Sequence, residues 1–175
     1  MRSLVLLSCS LVTAVAAAAA AGADRQDGGV LSVERARGTV TLDIRGAVLG
    51  RLATGTLRVT DTTPRDRFEP LVVGRRLGEE TVSPNTVVYR GTGIRFRMVG
   101  GGTRIVARGT GISISAVGRG TVVLVADPKQ PNEDAGVYSL DGVDCQVEPQ
   151  SCEPLPETAT RLVIAPPDSE TTRVR

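Results

Sequence analysis

The sequence predicts an all-β protein, an antiparallel meander of short strands that closes as a barrel or packs as a sandwich. Three observations carry this expectation. Glycine pairs recur every nine residues between Gly91 and Gly120, apolar and polar residues alternate between them, and no helix longer than a turn is evident after residue 23.

The repeating units read GTGIRFRMV, GGGTRIVAR, GTGISISAV and GRGTVVLVA over residues 91–126. A strand of about seven residues plus a two-residue loop gives this spacing. Glycine at the loop supplies the positive φ of a primed turn. Reversal at Gly100-Gly101 sets Phe96 against Ile105 and Arg97 against Arg104. Reversals at Gly109-Thr110 and Gly118-Arg119 set Ile105 against Ile114, and Ile114 against Val123. One face then becomes apolar across four strands, and a one-residue slip would ruin it. A parallel β-solenoid with one glycine-bounded side per nine residues would bury the same positions, and is the alternative fold. A calcium-binding solenoid of nonads needs an acidic residue at a fixed position, and residues 91–126 contain no Asp or Glu.

The earlier segment carries a weaker form of the period at Gly28, Arg37, Gly46 and Gly55. A hairpin about Arg37-Gly38 places Leu31 against Ile44 and Val33 against Leu42. In 46–60 the phase is less clear, because Leu49 and Leu52 cannot both point inward without a bulge. Residues 62–85 contain Pro64, Pro70 and Pro84 among many charges, and read as a long loop or insertion. Strands near 136–140 and 160–165 complete a single β domain over 24–165, with a disordered tail over 166–175.

Residues 1–23 read as a secretory signal peptide: Arg2, an apolar stretch from Leu4 to Ala21, and the small-residue site Ala21-Gly22-Ala23, with cleavage before Asp24. Cleavage leaves no membrane span. Cys9 is a poor lipoprotein cysteine, because the apolar stretch continues past it. Leu155-Pro156-Glu157-Thr158-Ala159 resembles a cell-wall sorting motif but lacks the hydrophobic span and basic tail that should follow. In an exported chain the two remaining cysteines, Cys145 and Cys152, are expected to pair.

Composition removes several function classes. The 175 residues include no His and no Trp, and only 2% are aromatic. The usual general base and the commonest metal ligand are therefore missing, as are stacking platforms for bases. With a net charge of +2 and export expected, nucleic acid is not an expected partner. Neither a metal nor another cofactor is implied.

The charges are unevenly placed. Residues 75–126 carry eight arginines against Glu79 and Glu80, while 127–175 carry ten acidic residues. In the meander register Arg95, Arg97, Arg104 and Arg108 share the face opposite the apolar one. That face is the candidate site for an anionic envelope polymer, or for another surface protein. The plainer reading is a solvated face that keeps the sheet soluble. Asp61, Arg65, Asp66, Arg67 and Glu69 form a charged loop, the basis of the alternative: a secreted enzyme using carboxylates and Arg at a barrel mouth. No nucleophile–base pair accompanies them, so no catalytic residue is assigned. Asp127, Asn132, Glu133 and Asp134 offer oxygen ligands but match no calcium loop, and read as an Asx-rich turn. The leading expectation is an exported, non-enzymatic β-protein of the cell envelope. Self-assembly through sheet edges is a third class.

Overall fold

The computed structural model describes residues 29–65, 70–129 and 135–165. The expected signal peptide, the tail and residues Asp66, Asn132, Glu133 and Asp134 lie outside them. The described residues form an antiparallel sheet of six strands: β1 (Gly29–Asp61), β2 (Leu71–Ser83), β3 (Thr86–Ala126), β4 (Val137–Ser139), β5 (Glu153–Pro154) and β6 (Thr160–Ile164). A single 3-10 turn over Pro149–Ser151 is the one helical element among them.

The fold is all-β, as expected, but it is not a meander of short strands. β1 runs 33 residues and β3 runs 41 without reversing. No residue of β3 pairs with another residue of β3. Instead β3 flanks β1 on both sides. Thr39 pairs with Arg108 and with Val125, and Leu42 pairs with Ile105 and with Val122. Arg108 and Val125 are seventeen residues apart in one strand. That length of extended chain would span about 56 Å, yet two steps across a sheet cover only about 10 Å. The strand must therefore travel once around in about 17 residues and return beside its own neighbour. β1 and β3 wind together as a two-stranded antiparallel coil. The alternative of a parallel solenoid fails as well, because every pairing between the described strands is antiparallel, an isolated bridge of Val30 with Asp141 apart.

Nine residues are thus half a turn rather than a strand with its loop, and the glycines mark corners. Gly91 pairs with Gly55, Gly55 with Gly109, and Gly109 with Gly38, which makes one column. Gly29, Gly118 and Gly46 make a second, and opposite Gly46 the ladder slips past Gly100-Gly101 as a bulge. At Gly55 and Gly109 the backbone has φ of 153° and 148°, which only glycine adopts readily. A Cβ on Gly109 would stand 2.1 Å from the carbonyl oxygen of Thr54. Primed turns and these corners both demand glycine, which is why the doublets suggested reversals.

Between corners lie two sides half a turn apart, facing opposite ways. One carries residues 94–99, 47–52, 113–118 and 29–34 in adjacent rungs, followed by β4. The other carries 86–90, 56–61, 103–108, 39–45 and 119–126, followed by β6. Both send aliphatic side chains inward to one core, including Leu42, Leu57, Ile94, Ile105, Ile112 and Leu124, all fully buried. The ambiguity of 46–60 resolves simply: Leu52 is buried at 1% exposure and Leu49 faces out at 53%. The anticipated Leu31–Ile44 and Phe96–Ile105 contacts across turns give way to Leu31–Ala116 and Phe96–Gly50 pairings.

The segment read as a loop over 62–85 contains β2, which pairs with β3 from Leu71–Arg97 to Ser83–Thr86. Prolines delimit this strand at Pro70 and Pro84 rather than abolish it. The other end of the coil is closed by β4, β5, β6 and a disulfide between Cys145 and Cys152. There the Tyr138 hydroxyl donates to Glu153 Oε2 at 2.6 Å. Burial first, and then the hydrogen bond and charge of Glu153, push the Tyr138 phenol up to about 12.

This raised value sets an alkaline limit. The folded state favours the neutral phenol, so the contribution is complete below the ordinary pKa near 10 and is lost as pH rises toward about 12. In a Tyr89→Phe background, ultraviolet titration should show Tyr138 ionising well above the ordinary value. Glu153→Gln should bring it back down. An ordinary phenol titration with Glu153 intact would contradict the contact.

Candidate functional site

The four arginines expected on one face are divided between the two sides. Arg97 does not face Arg104, because the chain rounds the Gly100–Gly102 corner between them. Arg97 lies between Leu49 and Leu71, and Arg104 lies between Asp43 and Thr60. All four side chains do point outward, away from the core.

The two arginine pairs differ in their partners. On the first-named pair's opposite side, Arg104 donates from Nε and Nη2 to Asp43 Oδ2 at 3.1 and 2.6 Å. Arg108 donates from Nε to Thr39 Oγ1 at 3.3 Å, and Arg90 pairs with Glu80 at 2.6 Å. Arg95 and Arg97 have no carboxylate partner among the described residues. Their neighbours across the ladders are Arg51, Val73, Leu49 and Leu71. The like-charge pairing anticipated for Arg97 and Arg104 occurs instead between Arg51 and Arg95 on this side, and between Arg45 and Arg119 on the other.

A third residue offsets part of that repulsion. Arg51 Nη2 bonds Glu34 Oε1 at 2.9 Å, reaching over the small Ser113 of the intervening strand. The Glu34 side chain is only 9% exposed, so Arg51 balances a nearly buried carboxylate. Glu34 keeps the outward phase of Ser32, and the bulge that follows it restores the inward phase at Ala36. At that bulge Arg35 takes φ of 54°, uncommon for a residue with a Cβ. Its amide donates to Ser113 Oγ at 3.3 Å.

These residues border a groove of about 530 Å³. Arg51 and Arg95 stand on one wall, Ser32, Ser113 and Ser115 occur along the strands beneath, and Val143, Asp144 and Gln146 of the disulfide loop form the far wall. The loop is fastened at Cys145, which is fully buried and whose amide donates to Ser32 Oγ at 3.1 Å. A second hollow of about 300 Å³ continues past Arg51, Arg95 and Ser113 to Arg35 and Gly111. The groove therefore combines guanidinium groups and hydroxyls, the chemistry that receives carboxylate, sulfate or phosphate oxygens, with two carboxylates, Glu34 held by Arg51 and Asp144 on the far wall.

Of the acidic candidates, Asp61 and Asp127 are engaged locally, and Asp66, Glu69, Glu133 and Asp134 lie outside the described residues. Asp61 Oδ1 accepts from the Thr63 amide at 2.8 Å and so closes a local turn. It borders a hollow of about 150 Å³ beside Pro70 and Pro84. Asp127 Oδ1 accepts from the Lys129 amide at 3.0 Å, the Asx geometry expected of that segment. Among the described residues no three His, Cys, Asp or Glu side chains gather to hold a metal ion. No described helix is long and apolar enough to cross a membrane.

Arg35, Arg51 and Glu34 were not singled out from the sequence. Glu34 and Arg51 are seventeen residues apart, and that separation becomes meaningful only once it is known to be one turn of the coil. No protein-family model, curated protein or solved structure matches the chain.

Proposed function

We propose that this is an exported, non-enzymatic β-protein that binds an anionic polymer of the cell envelope along the Arg51–Arg95–Arg97 side of the coil. Export rests on the signal-peptide pattern of residues 1–23 and agrees with the paired cysteines. We read the coil as flattened and sandwich-like, its glycine columns forming the two edges. The observation that carries the binding reading is the pairing of Arg51 with Arg95 beside a groove that serine hydroxyls line. On one side Arg104 is paired with Asp43, while on the other Arg95 stands against Arg51 with no carboxylate of its own among the described residues. Like charges directly opposed cost a sheet a few tenths of a kcal/mol. An anion lying between them removes that cost and gains charge-assisted hydrogen bonds.

Retention on dextran sulfate and on polygalacturonate tests the reading. Arg95→Ser with Arg97→Ser should weaken retention about tenfold at low salt. Arg104→Ser with Arg108→Ser should leave it near the parent value. Thermal stability of the first variant should equal or slightly exceed the parent's, because a repulsion is removed. Equal losses in both variants would mean a diffuse charge effect, and no loss in either would remove the site.

A further inference from the structure

The two ends of the coil are finished differently. At one end the outermost strands are short: β5 has two residues, one of them Pro154, and β6 has five. Short edge strands, and proline within them, discourage pairing with another chain. At the other end lies β2, thirteen residues long, which among the described residues pairs with β3 on one flank only. Its outer side presents Val73 and Val82, each 50% exposed. A long edge carrying exposed valines is a template for another strand.

We propose that β2 pairs antiparallel with β2 of a second copy, about a two-fold axis between Leu77 and Gly78, so that two coils join end to end. Two independent features select this register. The first is shape. β2 follows the coil around a corner: Leu71–Val73 run beside Arg95–Arg97 on one side, and Gly78–Ser83 run beside Thr86–Arg90 on the other. The bend falls at Arg75–Gly78, where the ladder slips and Arg76 takes φ of 50°. Two bent edges fit only if corner meets corner, which centres the axis within that bend.

The second feature is charge. The strand reads LVVGRRLGEETVS. Centring the axis between Leu77 and Gly78 sets Arg75 opposite the partner's Glu80, Arg76 opposite the partner's Glu79, and Val73 opposite the partner's Val82. Two-fold symmetry repeats each contact, giving four opposite-charge pairs and two valine pairs. The sides of the sheet agree for Val73 with Val82 and for Arg75 with Glu80, while Glu79 lies in the inward row with Tyr89 at the end of the coil. Val73 lies in the outward row with Arg95, and Glu80 and Val82 lie in the outward row through Val88 and Arg58. Glu80 already bonds Arg90 at 2.6 Å, so the partner's Arg75 would complete an Arg–Glu–Arg group. Shifting the axis by two residues along the strand would break the charge pairing and separate the corners.

Sedimentation velocity over a concentration series tests the proposal. The parent protein should form dimers that weaken as salt is raised. Arg75→Glu with Arg76→Glu should weaken self-association at least tenfold. Glu79→Arg with Glu80→Arg should do the same. An equimolar mixture of the two variants should recover a dimer, because one copy then carries four carboxylates and the other four guanidiniums. Placing all four changes in one chain should also restore the homodimer. Val73→Lys, a change at an exposed position, provides a second route to the monomer without altering the charge pairs. Circular dichroism matching the parent shows that each variant folds. A parent that stays monomeric throughout, or dimers indifferent to these changes, would overturn the proposal. Loss of anion retention would leave it standing, because the groove arginines are not part of this edge.

Discussion

Gly109→Ala is expected to cost about 4 kcal/mol or more of folding stability, enough to unfold a domain of ordinary stability. Gly109 sits in the corner column between Gly55 and Gly38. The added Cβ would meet the Thr54 carbonyl oxygen at 2.1 Å and the Gly55 Cα at 2.8 Å. Both are backbone atoms of a neighbouring rung, so relief requires the rungs to part and their hydrogen bonds to lengthen. The residue must also leave φ of 148°. Gly93→Ala is the internal control. It has φ of 57° but nothing within 4 Å of an added Cβ, so only the backbone preference is lost, about 1 kcal/mol. Urea unfolding of the two variants checks the contrast. A meander with Gly109 at a hairpin tip predicts similar, modest costs for both.

Leu42→Ala should lose about 2–5 kcal/mol, the range for emptying a fully buried leucine site. The more informative quantity is its coupling. Leu42 lies between Ile105 and Val122 on adjacent rungs of the same strand. Double-mutant cycles pairing Leu42→Ala with Ile105→Val, and separately with Val122→Ala, should each show coupling of about 0.5 kcal/mol or more. Leu42 with Val33, the contact of a simple hairpin about Gly38, should couple more weakly. The opposite ordering would show that the chain turns back at that glycine.

These contrasts show which parts of the fold are written locally. The inward set (Leu42, Ile105, Ile112, Ile114) and the outward arginines follow from alternation alone, because side-chain direction in a strand depends only on position; Val123, expected inward from a reversal at Gly118-Arg119, faces outward opposite Thr41, and Val122 and Leu124 are the buried residues. The Cys145–Cys152 pair was readable from chain chemistry. The connectivity was not. A nine-residue glycine spacing suits a seven-residue strand with a tight turn, and equally suits half of a seventeen-residue circuit. Both put an obligatory glycine at the same place. What separates them is whether Gly109 meets Thr110 in a reversal or Gly55 in a neighbouring rung, and that is a long-range fact. Burial in phase from Val40 through Ile44 to Val48 and Leu52, straight across Gly46, was the available clue.

The candidate site was less legible for the same reason. Arg95 and Arg97 could be named from alternation. Their separation from Arg104 and Arg108, and the role of Arg51 and Glu34, depend on which residues lie one turn apart. β2 was hidden by its flanking prolines and by RRLGEE, a run of charges unusual in a strand but suited to a bent edge that meets its own copy.

The winding of β3 on both flanks of β1 is tested most directly by cross-linking. Thr41 pairs with Val106 on one flank and with Val123 on the other, all on the outer side and none fully buried. Directly opposed residues of an antiparallel pair lie within disulfide reach. Two variants, Thr41→Cys with Val106→Cys and Thr41→Cys with Val123→Cys, should each form the intended disulfide on mild oxidation, detected by peptide mapping, while keeping a β-sheet circular dichroism spectrum. Formation of both is the result the coil predicts. Formation of neither, or of only one, would contradict it.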